Sequence, residues 1–160
     1  MSEPTEEQAR EHKARVRAEL YARYNNRALA RGEHLHGESF LRNVGLYEVL
    51  DAEWTQAWLT FVYDAMYGRE VLDERTRVLV VIGECIAAGH HDHLTHHMNT
   101  AISLGVGPDE LLEVCLQSAV PLGLSGLHRA LAAYRAIMTD LGLASFTEPP
   151  FPREGAGTLT

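Results

Sequence analysis

The stretch "GHHDHLTHHMNT", residues 89–100, puts five histidines within eight positions: His90, His91, His93, His96 and His97. Imidazole is the side chain that titrates nearest neutral pH, and it is the commonest metal ligand. If the stretch is helical, His90, His93 and His97 fall within an arc of about 60° and face a common point. Asp92 and His96 then form a separate i,i+4 pair on another side. Three readings are open. One is a solvated helix start that happens to be rich in histidine. Another is a metal site, since His93 and His97 have the H-x-x-x-H spacing of zinc ligands. Against it, H-E-x-x-H is absent and no carboxylate follows at an obvious third-ligand position. The third is acid–base chemistry. The positive end of the helix dipole disfavours imidazolium and so leaves a neutral base, and the free N–H groups there attract a carboxylate. Acid–base work by neutral imidazoles, rather than metal binding, is the preferred reading.

These residues must be positioned by helices. Thr5 and Gln8 have capping-box spacing, and "EEQAREHKARVRAELYARYNNRALA" follows without Pro or Gly. Its thin apolar content suits a surface helix or one lying across a partner subunit. "RGEHLHGE" is expected to break that helix at its two glycines. Trp54, Ala57, Trp58, Phe61, Val62, Ala65 and Met66 recur at three-and-four spacing, the pattern of an amphipathic helix. "VLDERTRVLVVIGECIAAG" continues past its β-like apolar run to Gly89, which favours a buried helix closed by glycine. The histidine stretch then opens a helix running to Leu104. Gly107-Pro108-Asp109-Glu110 starts another, with Leu111, Leu112, Cys115, Leu116, Ala119 and Val120 as its inward stripe. Pro121 and Gly123 bend the chain, and Leu127, Leu131, Tyr134, Ile137 and Met138 mark a last helix. The fold class is all-α. The expected organisation is a helical extension over 1–38, a helical domain over 39–144 and a Pro/Gly-rich tail over 145–160.

Composition narrows the function classes. The 160 residues carry a net charge of −8, which argues against nucleic acid, because phosphate binding needs a basic face. The apolar run Val78 to Ile82 is too short to span a membrane, and the opening "MSEPTEEQAR" lacks a hydrophobic signal region. Cys85 and Cys115 each lie in an apolar segment, as buried reduced thiols would. A cytoplasmic protein is expected.

Together, "GREVLDERTRVLVVIGECIAAG", "HHMNTAISLGVGPDELLEVCLQSAVPLG" and the last helix resemble the carboxymuconolactone decarboxylase family over roughly residues 54 to 140. The resemblance rests on Arg69, Leu72-Asp73, Thr76-Arg77, His97 with Ala101, Gly105-Val106, and Glu110 to Glu113. It implies an alkylhydroperoxidase-D-like helical bundle that assembles as a homotrimer or homohexamer. One branch of the family reduces peroxides with a C-x-x-C pair. Its cysteine positions correspond here to His90 and His93, so that activity is not expected. The other branch removes CO₂ from a carboxylated unsaturated lactone without a cofactor. The expectation is therefore a cofactor-independent lyase acting on a small carboxylate. His97 would be the principal acid–base residue, assisted by His93 and Glu84, with Arg69, Arg77, His90 and His128 binding substrate. The alternatives are a metal-dependent protein using the histidine cluster and a non-catalytic oligomer of the same fold. Departures from the decarboxylase pattern cluster near the presumed pocket. His93 stands where glutamate is usual, Pro121 and Ser125 where tyrosine and proline are, and Glu84 where a small apolar residue is.

Overall fold

Thr5 starts the first helix as its spacing predicts. Its hydroxyl accepts from the Gln8 amide (3.3 Å), and the Gln8 side chain accepts from the Thr5 amide (3.0 Å). The computed structural model describes residues 5–143, so the tail expected over 145–160 lies outside them. The first helix, α1 (Glu6–Arg23), buries only Leu20, in keeping with its thin apolar content. It does not run on to Ala30. Asn25 interrupts it and starts α2 (Asn26–His36), its side-chain oxygen accepting from the amides of Arg27 (3.0 Å) and Ala28 (3.3 Å). Asparagine satisfies helix-start donors better than it propagates a helix. Nor does Gly32 break the chain. It lies inside α2 beneath the Phe40 ring, and the helix ends only at Gly37.

Four further helices bring the chain to its histidines and beyond. They are α3 (Glu38–Leu50), α4 (Ala52–Leu59), α5 (Glu74–Ala88) and α6 (His91–Ser103), followed by α7 (Pro108–Gln117) and α8 (Ala119–Asp140). Between α4 and α5 the chain forms a π-helical turn, Thr60–Met66. The elements of the described residues are all helical, as expected, and α5 resolves the strand-like run in favour of helix. Asp73 caps α5, accepting from the Thr76 amide (2.7 Å) and hydroxyl (2.8 Å). Pro108 occupies the first turn of α7, where the Glu110 carboxylate accepts from the Gly107 amide (3.1 Å). Gly123 breaks α8 near its start, at the expected bend.

The helices gather around two apolar cores. Leu20, Leu29, Phe40, Val44, Leu59 and Tyr63 form one, built from α1 to α4 and the π-helical turn. Val78, Ile82, Leu94, Met98, Leu111 and Met138 belong to the other, built from α5 to α8. Two expected stripes are rotated. From α4 into the π-helical turn the buried positions are Thr55, Leu59 and Tyr63, while Trp54 is 52% and Phe61 63% exposed. The i,i+5 bond from the Tyr67 amide to the Val62 carbonyl (2.8 Å) marks the extra residue that shifts this register. On α7 the chain buries Leu111 and Cys115 and then Ser118, leaving Leu116 41% and Val120 83% exposed. In a single chain much of the apolar surface thus faces outward.

Gly32 supplies a test of the first core. A Cβ there would lie 2.1 Å from Phe40 Cζ. Alanine ordinarily gains about 1 kcal/mol over glycine inside a helix, but this overlap is expected to outweigh it by about 1–3 kcal/mol. Urea denaturation of Gly32→Ala should therefore show a net loss of stability. Equal or greater stability would mean that Phe40 does not pack as described.

Candidate functional site

A tight connection sets the histidine stretch. Gly89 closes α5 at φ 74, a left-handed conformation that glycine adopts without strain. The His90 amide donates back to the Cys85 carbonyl (3.0 Å), and α6 begins at the next residue. Leu94, Met98 and Ala101 then turn into the second core. This registration leaves His96, His97 and Thr100 to meet α2.

The imidazole that meets them is His36, the last residue of α2. Its ring centroid lies 4.2 Å from that of His96, with the planes tilted by 35°, and 5.7 Å from that of His97. Tyr63 and Phe40 stand edge-on or tilted to it at 5.9 and 6.4 Å. His36 Nδ1 lies 2.8 Å from Thr100 Oγ1, and that hydroxyl is 3.2 Å from the His96 carbonyl. Thr100 has one hydroxyl proton, which we assign to the carbonyl four residues back, the bond a helical threonine commonly makes. The hydroxyl therefore accepts from the His36 Nδ1–H, which leaves Nε2 of His36 as a lone-pair acceptor. His97 Nδ1 is buried without a partner.

Burial holds these rings neutral. It is the first cause that lowers His36 from 6.5 to about 3, followed by the neighbouring His96 and His97. It likewise lowers His97 to about 4, followed by His96 and His93. His96 is also lowered, by burial and then by His93. Neutral imidazoles were expected from the helix dipole. Here desolvation and mutual repulsion lead instead, and His97 sits in the second turn of α6.

The other sequence-derived candidates are placed differently. His90 precedes α6 as its cap residue and His93 is exposed, their rings 5.9 Å apart. Glu84, Arg69 and His128 are exposed on the single chain. Arg77 donates to the carbonyls of Met66 (3.1 Å), Arg69 (2.6 Å) and Leu72 (3.0 Å). Its guanidinium clamps the loop before α5. Among the described residues, no three His, Cys, Asp or Glu side chains are placed to hold a metal ion. Both cysteines are free and buried, and burial raises each thiol, Cys115 to about 11. Neither is a ready thiolate. The sequence reading missed His36 and set His96 on a separate side. The "HLH" of residues 34–36 is visible in the sequence, but its partner helix lies some sixty residues on and no periodicity links the two.

The sequence model of the carboxymuconolactone decarboxylase family matches residues 52–136. None of the curated proteins shows significant similarity to the chain. His97 lies inside the matched span and His36 outside it.

These half-buried rings make stability depend on pH. Unfolded, they bind protons near 6.5, whereas in the fold His97 does so near 4 and His36 near 3. Between those values the unfolded chain holds more protons, so stability is fully present above pH 6.5 and erodes on acidification. The slope is at most about 1.4 kcal/mol per pH unit for each ring, less residual solvent screening. Urea midpoints should fall from pH 6.5 towards 4, and His36→Gln should show a shallower fall. Parallel curves for the two proteins would contradict a neutral, half-buried His36.

Proposed function

The chain belongs to the carboxymuconolactone decarboxylase family, and on that premise we propose that it is a cofactor-independent lyase that decarboxylates a small carboxylated lactone or a related aromatic-pathway intermediate. The observation that carries this reading is His97, a half-buried imidazole held neutral inside the matched span without a neighbouring thiol pair. Loss of CO₂ leaves an electron pair on carbon that spreads onto the lactone carbonyl and must then be protonated. An anionic substrate beside His97 restores the proton affinity that burial removes. The ring takes up a proton as the carboxylate binds, the carbon–carbon bond breaks to release CO₂, and the proton passes from imidazolium to carbon. His97 returns to its neutral state, and no oxidant or reductant is needed.

His93 and Glu84 assist this transfer, and Arg69, His90 and His128 receive the carboxylate. Because these residues face outward on one chain, the proposal includes a homotrimer or homohexamer in which a second copy covers them. The outward apolar side chains Trp54, Phe61, Met66, Val120 and Leu124 favour such an assembly.

Two measurements test this reading. With 4-carboxymuconolactone as substrate, His97→Gln should lose about 10²–10⁴-fold in CO₂ release while its circular dichroism is unchanged. Undiminished turnover would remove His97 from the mechanism. In sedimentation, the unmodified chain should run as a trimer or hexamer and Phe61→Glu should shift it towards monomer. A monomeric unmodified chain would leave the outlying residues without a cover and contradict the shared site.

A further inference from the structure

A second feature lies on the far side of the ring cluster. A cleft of about 330 Å³ opens between α2 and α6, walled by His34, His36, Ser39, His96, Asn99 and Ser103. That volume is at the lower end of the range for small-molecule pockets. His97 does not line it. More than half of its wall comes from residues 34–39, outside the span that matches the family.

Donor and acceptor accounting defines what would fit. The Ser39 hydroxyl donates to the His36 carbonyl (2.8 Å), and the Ser103 hydroxyl to the Thr100 carbonyl (2.8 Å). Both therefore face a ligand with lone pairs only. His36 has its Nδ1 proton engaged with Thr100 and keeps Nε2 as an acceptor. The donors left are the Asn99 amide and one N–H of a neutral His96. No arginine or lysine lines the cleft, and its one histidine with a charged partner, His34, is held by Glu74 at 2.9 Å. A carboxylate or phosphate would find no fixed positive charge there. A molecule with several hydroxyl groups would meet acceptors at each.

We propose that this cleft binds a compact neutral molecule carrying more than one hydroxyl group, with His36 and His96 as its central hydrogen-bonding pair. The site is separate from the chemistry at His97 and does not depend on the lyase reading. It is assembled only where α2 docks on α6, so its ligand also bridges the two cores.

Catechol and benzoate separate the possibilities, because they share a ring but carry two hydroxyls or a carboxylate. The probe is the full chain with isotope-labelled histidine, observed by NMR near neutral pH. Millimolar catechol should shift the His36 and His96 ring signals saturably, leave His128 in place, and be bound at least about tenfold more tightly than benzoate. Ser103→Ala, which removes one acceptor from an exposed position, and His96→Phe, which keeps a ring without nitrogens, should each weaken catechol about tenfold. His97→Gln should leave catechol binding intact. The proposal is overturned if no saturable shift occurs, if benzoate binds as well as catechol, or if His96→Phe binds normally. Loss of catechol binding in His97→Gln would place the ligand at the His97 site and overturn the separation.

Discussion

The hydrogen bond from His36 to Thr100 and the imidazole contact behind it are the constraint on which the rest of the molecule turns. They connect the last residue of α2 to the middle of α6, and so join a core built from α1 to α4 with one built from α5 to α8. Packing three half-buried imidazoles against one another favours their uncharged forms. Neutrality is thus at once a condition of the packing and the property on which the proposed proton transfer at His97 rests. A group that can accept a proton only when an anion arrives is silent in the empty site and responsive in the occupied one.

Much of the scaffold was legible because its signals are local. Thr5, Asp73, Gly89 and Pro108 each act within a few residues, through a cap bond, a left-handed backbone or a helix-compatible φ. Several residues that carry the family resemblance prove to be of this kind. Asp73 and Thr76 cap α5, Arg77 clamps the preceding loop, and Glu110 caps α7 while pairing with Arg75. They specify how helices begin and meet. That is why they mark a fold more firmly than a substrate.

What could not be read depends on partners remote in sequence. Helical periodicity identified His93 and His97 as neighbours on a face, but it does not say which helix that face meets. His96 and His97 are brought to His36 by the docking of α2, a contact with no pattern in either segment. The apolar stripe from Trp54 to Met66 misled for a different reason. Burial in one chain follows Thr55, Leu59 and Tyr63, the π-helical turn adds a residue to the count, and the remaining apolar side chains look outward. Periodicity records that a face is apolar, and both an internal core and a neighbouring copy satisfy it. The exposed positions of Glu84, His90, His93 and His128 belong to the same outward surface problem.

The claim at the centre is that α2 and α6 hold a set of half-buried, neutral histidines against one another. Its most direct test is the titration of individual histidine ring signals by NMR in the intact chain. The account predicts that His36 and His97 remain unprotonated through pH 5 and titrate near 3 and 4. Midpoints for both rings near the ordinary 6.5 would contradict it.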